Sequence, residues 1–287
     1  MMHLALKLQP YFKFLFCLSY QKILRLPIGQ IAVYCDRIIA LIISMIHCEK
    51  SVSVSLLTLA IDVGGSSIKA IILREDGTAI SERSLIRTPY PATPDAVVET
   101  LIDLIAQQGN YDRLAIGFPS VVENGITRGA INLHADWDGF HLAQVLQNKL
   151  GKPLRIANDA DVQGCGAIAG QGVELVITLG TGFGSSLFLN GKLLPNLELG
   201  QHIFCDRDTY EDLLGQAALA RVGVEVWNAR LLNAIVTLYK LFNYDKLYIG
   251  GGNARLVTLD LPPNLAHKIA IVSNDLGLIG GLALWQS

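Results

Sequence analysis

Three glycine-rich bends and one Asn-Asp pair are the parts of this chain whose residue types and spacing suit chemistry. Gly64-Gly65 follows the apolar run Leu57–Asp62, the loop Gly180 to Gly184 follows Glu174–Leu179, and Gly250-Gly251-Gly252 follows Lys246–Ile249. Glycine lets successive backbone N–H groups turn inward and approach a polyanion with no Cβ in the way, so such bends suit a phosphate cradle. A single Gly-Gly is by default a tight turn; three bends, each after an apolar run, point to phosphate. Neither a Walker A loop nor a GxGxxG opening a βαβ unit occurs, which removes the P-loop and Rossmann readings.

Asp62 closes the first run, and Lys69 lies just past the bend. A carboxylate there can orient Mg2+ through water, and an ammonium can offset charge on a transferring phosphoryl group. Each also has a plain structural reading, as a turn cap and as a solvated strand residue. Asn158-Asp159 follows the apolar run Leu154–Ala157 and precedes a small-residue helix expected over Ala160–Ala169. Asp159 suits the N-cap of that helix. It equally sits where ligands bind in α/β proteins, at the C-terminal end of a strand, and phosphoryl transfer to an alcohol needs a base for the hydroxyl proton. Asn158 beside it offers a donor and an acceptor to neighbouring hydroxyls.

The elements that must position these groups repeat. Strands are expected at Leu57–Asp62, Ile68–Leu73 and Ala79–Ile86, with an Asp76-Gly77 hairpin turn between the last two. A helix over Thr93–Gln107 carries Pro94 in its first turn, followed by a strand at Arg113–Phe118, a helix at Leu142–Leu150 and a strand at Leu154–Ala157. The scheme restarts after Asp159: strand Glu174–Leu179, the glycine loop, strand Ser185–Leu189, an Asn190-Gly191 turn and strand Lys192–Leu194. A long helix at Val224–Phe242, strand Lys246–Ile249 and a closing helix at Gly277–Trp285 follow. Two such halves would face their bends across a cleft.

Composition narrows the partners. A formal net charge of −2 gives nucleic acid no electrostatic support. Five cysteines without CxxC pairs point to a reducing compartment, hence the cytoplasm, and leave no ligand set for structural zinc. Residues 1–56 are apolar with scattered Lys and Arg, and their longest uncharged run, Ile38–Cys48, is too short to span a bilayer. An over-extended start is expected there, with a peripheral membrane anchor as the alternative.

Asp62-Val-Gly-Gly-Ser-Ser-Ile-Lys69, Asn158-Asp159-Ala-Asp161, Leu179-Gly-Thr-Gly-Phe-Gly184, Glu198-Leu-Gly200 and Gly250-Gly-Gly252 together resemble the ROK family of sugar kinases. Thr88-Pro-Tyr-Pro-Ala-Thr-Pro94 and the missing zinc cysteines make the chain most similar to the polyphosphate/ATP glucokinases of that family. The resemblance runs from Thr58 to Ser287. It implies an α/β protein of the actin-like ATPase (ribonuclease H-like) fold with two lobes, 57–156 and 157–287, about a central cleft, the final helix packing back on the first lobe. It implies a hexose, glucose first, as acceptor, ATP or polyphosphate as donor, Mg2+ as cofactor, and a homodimer. Asp159 becomes the base, with Asn132, Asn158 and Glu198 on sugar hydroxyls. Asp62, Gly64, Gly65, Lys69, Gly180, Thr181, Gly182, Gly251 and Gly252 fall on the phosphates and nucleotide.

Two positions depart from the family pattern. Where the family reads Glu-x-Gly-His, this chain reads Glu198-Leu-Gly200-Gln201-His202, so either Gln201 replaces the sugar-contacting histidine or His202 takes its place. The family's Gly-x-Pro-Gly stands here as Gly117-Phe-Pro119-Ser120, and a non-glycine there narrows the backbone angles open to it. Three other readings share the fold: a sugar-sensing regulator, an actin-like structural ATPase, and a kinase for another hexose such as mannose. The regulator would need a DNA-binding helix-turn-helix ahead of Leu57, where no polar recognition helix is evident.

Overall fold

The computed structural model describes residues 56–129, 133–273 and 276–286. Asn132 and all but the last residue of the N-terminal segment 1–56 lie outside the described residues. In chain order the strands and helices are β1 (Thr58–Val63), β2 (Ser67–Leu73), β3 (Ser84–Arg87), α1 (Pro94–Ala106), β4 (Arg113–Phe118), β5 (Val121–Glu123), β6 (Ile126–Arg128), α2 (Leu142–Leu150), β7 (Leu154–Asn158) and α3 (Asp159–Ala167). There follow β8 (Val173–Leu179), β9 (Phe183–Leu189), β10 (Lys192–Leu194), β11 (Ile203–Cys205), β12 (Asp208–Thr209), α4 (Tyr210–Leu214), α5 (Gln216–Phe242), β13 (Lys246–Gly250), α6 (Pro263–Ala266), β14 (Ile269–Ile271) and α7 (Leu276–Ala283).

Two five-stranded sheets repeat one plan. The first runs β3-β2-β1-β4-β7 and the second β10-β9-β8-β13-β14. In each, three strands form an antiparallel meander and two further strands extend it in parallel. The internal repeat in the sequence is thus a repeat of topology. Both hairpin turns use residues with positive φ at low cost: Gly77 at +85°, and Asn190 and Gly191 at +50° and +77°.

Both faces of each sheet are covered, so their strands are apolar on both sides. Leu59 and Ile61 of β1 point to the core shared with Val97, Leu101 and Leu104 of α1 and Leu146 of α2. Ala60, between them, meets Leu278 and Leu282 of α7, as strand alternation requires. In the second sheet Leu175 and Ile177 pack on Leu231, Ile235 and Leu238 of α5, while Val176 and Phe188 face Cys165 and Ala167 at the end of α3. Helices α3 and α7 therefore lie in the middle layer and cross in close contact. Small residues allow it: a Cβ on Gly280 would run into the Val162 carbonyl, and one on Gly166 would meet the Leu276 carbonyl.

Three expectations need correction. The third strand is Ser84–Arg87, shorter than Ala79–Ile86: the Ser81 hydroxyl accepts the Ile72 N–H at 2.9 Å, and Ala79 makes only an isolated bridge to Leu73. Asp159 is not the cap of α3; Asn158 is, accepting from the Ala160 and Asp161 N–H groups, which leaves Asp159 as the first helical residue. The long helix α5 starts at Gln216, but Gly223 breaks it with φ 79° and ψ 166°, so its second segment begins where Val224 was expected to open the helix.

Candidate active site

A cleft of about 590 Å³ opens where the two sheets present their bends, lined by Gly64 and Gly65, by Gly180, Thr181 and Gly182, and by Gly251 and Gly252. The first bend is closed by the Gly64 N–H on the Ser67 carbonyl at 2.9 Å and tied to the end of β3, where Thr88 Oγ1 donates to the Gly64 carbonyl at 2.6 Å. The second and third bends hold each other. Gly251, at φ +88°, lies so close to the Leu179 backbone that any Cβ would strike it. Asn253 donates from Nδ2 to the Gly180 carbonyl at 3.3 Å and to Gln216 Oε1 at 2.9 Å.

Asp62 and Lys69 are direct cross-strand partners on β1 and β2, and Lys69 Nζ sits 2.9 Å from Asp62 Oδ2. Both line the cleft.

Asp159 follows β7 directly and lines the same cleft. Withdrawal from water raises its carboxyl to about 7, the negative charge of Asp62 adds to that, and Glu198 and Asp161 contribute; the Ala160 N–H, 2.8 Å from Oδ1, opposes them. A carboxylate so poised can exchange a proton near neutral pH.

Asn158 is committed within the protein at both ends. Its Oδ1 caps α3, and its Nδ2 donates to the Ser120 carbonyl at 3.2 Å and to Glu198 Oε1 at 3.3 Å. Ser120 itself lies outside the positive-φ region, so its Cβ costs the Gly117-Phe-Pro119-Ser120 bend nothing.

Glu198 sits on a loop fixed from three directions. The Ser185 hydroxyl donates to the Leu197 carbonyl and accepts the Leu199 N–H at 3.2 Å, straddling it. The Asn196 N–H donates to Asp161 Oδ2 at 2.9 Å. The Asn196 side chain, at a backbone φ of +62°, pairs with both main-chain groups of Val122, accepting its N–H at 3.0 Å and donating to its carbonyl at 3.2 Å. Removal from water and the charge of Glu211 raise the Glu198 carboxyl.

Of the two residues left open after Glu198, Gln201 ends the 3-10 turn Leu199–Gln201 and lines the cleft. His202, one residue beyond, is not among the cleft-lining residues; its ring lies 6.5 Å from that of Tyr210.

Several cleft residues carried no signal that sequence reasoning used. Glu211, in the first turn of α4, faces the second bend: its Oε2 accepts the Phe183 N–H at 3.3 Å, and a Cβ on Gly182 would collide with it. The capping box formed by Thr209 and Asp212 marks that helix start and is visible as Thr-x-x-Asp. Gln163, Gln216, Asn253 and Arg128 also line the cleft. Among the described residues no group of three or more His, Cys, Asp or Glu is arranged to hold a metal ion, and no helix is long and apolar enough to cross a membrane.

Two repeated sheets with a cleft between their glycine bends, and the Asp159 carboxylate at the head of the middle-layer helix, define an actin-like ATPase fold. The ROK family profile matches residues 58–198, and the chain belongs to the ROK family. Within that family it is 38% identical over 242 residues to a polyphosphate glucokinase of Mycobacterium tuberculosis (strain CDC 1551 / Oshkosh), covering 77% of this chain and 88% of the relative. It is 31% identical over 233 residues to the polyphosphate glucokinase of Mycobacterium leprae (strain TN), covering 77% and 72%. The crystal structure of an inorganic polyphosphate/ATP-glucomannokinase from Arthrobacter sp. strain KM superposes with a TM-score of 0.71 at 27% identity, covering 81% of this chain and all of that one.

Proposed function

We propose that this chain is a hexose kinase, a glucokinase that transfers the terminal phosphoryl group of polyphosphate or ATP to the primary hydroxyl of the sugar. The observation that carries this is the position of Asp159: a carboxyl raised to about 7, at the head of α3, in one cleft with three glycine bends. The two halves, 57–156 and 157–287, act as the lobes of a cytoplasmic, homodimeric enzyme.

In this reading the sugar lies between Asp159 and the Glu198 loop. Glu198 and Glu211 accept hydrogen bonds from its hydroxyls, with Gln201 at the rim, and Asn158 holds Glu198 in place rather than spending its own amide on the sugar. Asp159 takes the proton as the hydroxyl oxygen attacks the terminal phosphorus, whose bond to the donor's bridging oxygen breaks to release ADP or a polyphosphate one unit shorter. Most of the rate enhancement comes from positioning and from charge stabilisation, because phosphoryl transfer leaves the protein little covalent work. Backbone N–H groups of the three bends receive the spreading negative charge, and Lys69 stands by with its ammonium.

Mg2+ fits this donor set. Lys69 engages only one oxygen of Asp62, and a lone carboxylate beside phosphate-binding bends is how Mg2+ is held when substrate oxygens and water complete its shell. Asp62 would hold the ion through water, and when bound it supplies positive charge to the phosphate oxygens. The test is a coupled assay of the full chain that crosses ATP and polyphosphate with glucose, mannose and other hexoses in the presence of Mg2+. Turnover with at least one donor and one hexose is expected. ATP hydrolysis that ignores every sugar would defeat the proposal.

A further inference from the structure

Helix α3 turns a second polar side chain to the cleft. Gln163 stands four residues after Asp159, hence on the same helical face and about 6 Å further along the axis. It is 9% exposed, and its Nε2 has no hydrogen-bond partner. Buried amide donors are almost always paired, so an orphan in a ligand cleft marks a group whose partner arrives with the ligand.

Its surroundings say which part of the ligand that is. A Cβ on Gly250 would stand 2.6 Å from Gln163 Nε2, so the amide lies against the third glycine bend. Gly277, in the first turn of α7, lines the cleft too, and the first backbone N–H groups of a helix have no partner within it. Charge points the same way. Among the described residues, the basic side chains lining the cleft are Lys69, already paired with Asp62, and Arg128, 3.8 Å from Glu123, against the carboxylates Asp62, Asp159, Glu198 and Glu211. A polyanion entering there must be held largely by neutral donors.

We propose that the Gln163 carboxamide binds the phosphoryl donor, giving its N–H to a phosphate oxygen held between the third bend and the head of α7. The terminal torsion of glutamine is broad and two-fold, so the amide turns its NH2 to the ligand without moving the helix. The name donor rests on the kinase reading above; the phosphate contact does not.

The experiment uses the full chain and its Gln163→Met and Gln163→Glu variants, with inorganic triphosphate, MgATP and glucose titrated separately by calorimetry. Removing one hydrogen bond to a charged oxygen is expected to weaken phosphate binding about tenfold in Gln163→Met, and the added charge to weaken it further in Gln163→Glu, with glucose affinity unchanged. Loss for triphosphate alone assigns the contact to the inorganic chain, loss for MgATP alone to the nucleotide's phosphates, and loss for both to the phosphate chain common to the two. Gln163→Glu keeps the shape of the side chain and carries the test if the methionine variant melts early. Unaltered phosphate affinity in a folded Gln163→Glu, an equal loss for glucose, or a parent chain that binds neither phosphate overturns the proposal. Phosphate binding without any sugar turnover would instead sink the kinase reading and leave the contact standing.

Discussion

The buried carboxylate of Asp161 accepts the backbone N–H of Asn196 at 2.9 Å, and so ties α3, the helix that begins with Asp159, to the loop that carries Glu198. Asn196 extends the tie to the other half of the chain through Val122. Losing that clasp should loosen the sugar side of the cleft and leave the phosphate side alone. Asn196→Gly keeps the positive φ open to glycine and removes both side-chain hydrogen bonds; we expect hexose KM to rise about tenfold with donor KM unchanged, read from steady-state kinetics with each substrate varied in turn. Equal rises in both constants would count against a role confined to the sugar loop.

Replacing the base tests the chemistry itself. Asp159→Asn keeps the shape and removes the proton acceptor, so turnover should fall by about two to four orders of magnitude, while glucose binding by calorimetry stays within about threefold. Full activity in this variant would remove Asp159 from the mechanism.

The raised carboxyl of Asp159 fixes the sign of the pH dependence. Protonation inactivates a base, so kcat/KM should decline below an apparent pKa near 7 and level off above it. Asp62 is the second cause of the shift after burial. Asp62→Asn should therefore move the acid limb to lower pH without returning it to the ordinary carboxylate range. A limb unmoved by this change would show that the titrating group lies elsewhere.

Asp161 offers a stability test with the opposite use of pH. It is 1% exposed, one of its oxygens lacks any partner, and burial raises its carboxyl to about 7 against an ordinary 3.8. Between those values the unfolded chain gives up the proton and the folded chain keeps it, so this group's contribution to stability declines as pH rises from about 4 to about 7. Asp161→Asn retains an acceptor for Asn196 and never ionises. Its melting temperature relative to the parent should increase from pH 5 to pH 8, followed by circular dichroism; a difference independent of pH would be inconsistent with a neutral Asp161 in the folded chain.

The crossing of α3 and α7 leaves no room for a methyl group at Gly280. Gly280→Ala should cost about 1–3 kcal/mol in urea unfolding, despite the better helix propensity of alanine. Because α3 begins with Asp159, turnover should drop in the same variant even under conditions where it remains folded.

The strands that carry the bends were legible because the apolar runs of β1, β8 and β13 each lead into a glycine turn, and α1 because Thr93 and Pro94 mark its start so plainly: Thr93 is the N-cap and Pro94 the first helical residue. The Asn158-Asp159 pair could be found but not apportioned. Either residue suits a cap by type, and only the observed geometry gives Asn158 the two N–H groups and leaves Asp159 to the cleft. Asn196 was invisible for another reason. Asn196 acquires its role from Val122, 74 positions away, and no local pattern encodes such a partner. Likewise the break at Gly223 falls between stretches that are both helical in spacing, and it is the positive φ, not the periodicity, that divides them.

The covering of Ala60 and Leu73 by Leu278 and Leu282 has a consequence for biosynthesis. β1 leaves the ribosome early, whereas α7 is among the final segments translated. The part of the first sheet's face formed by β1 and β2 must wait for its cover through the synthesis of most of the second half. Nascent chains stalled before residue 276 should therefore be avid clients of holdase chaperones, and a slow codon run late in the message would prolong their exposure to aggregation.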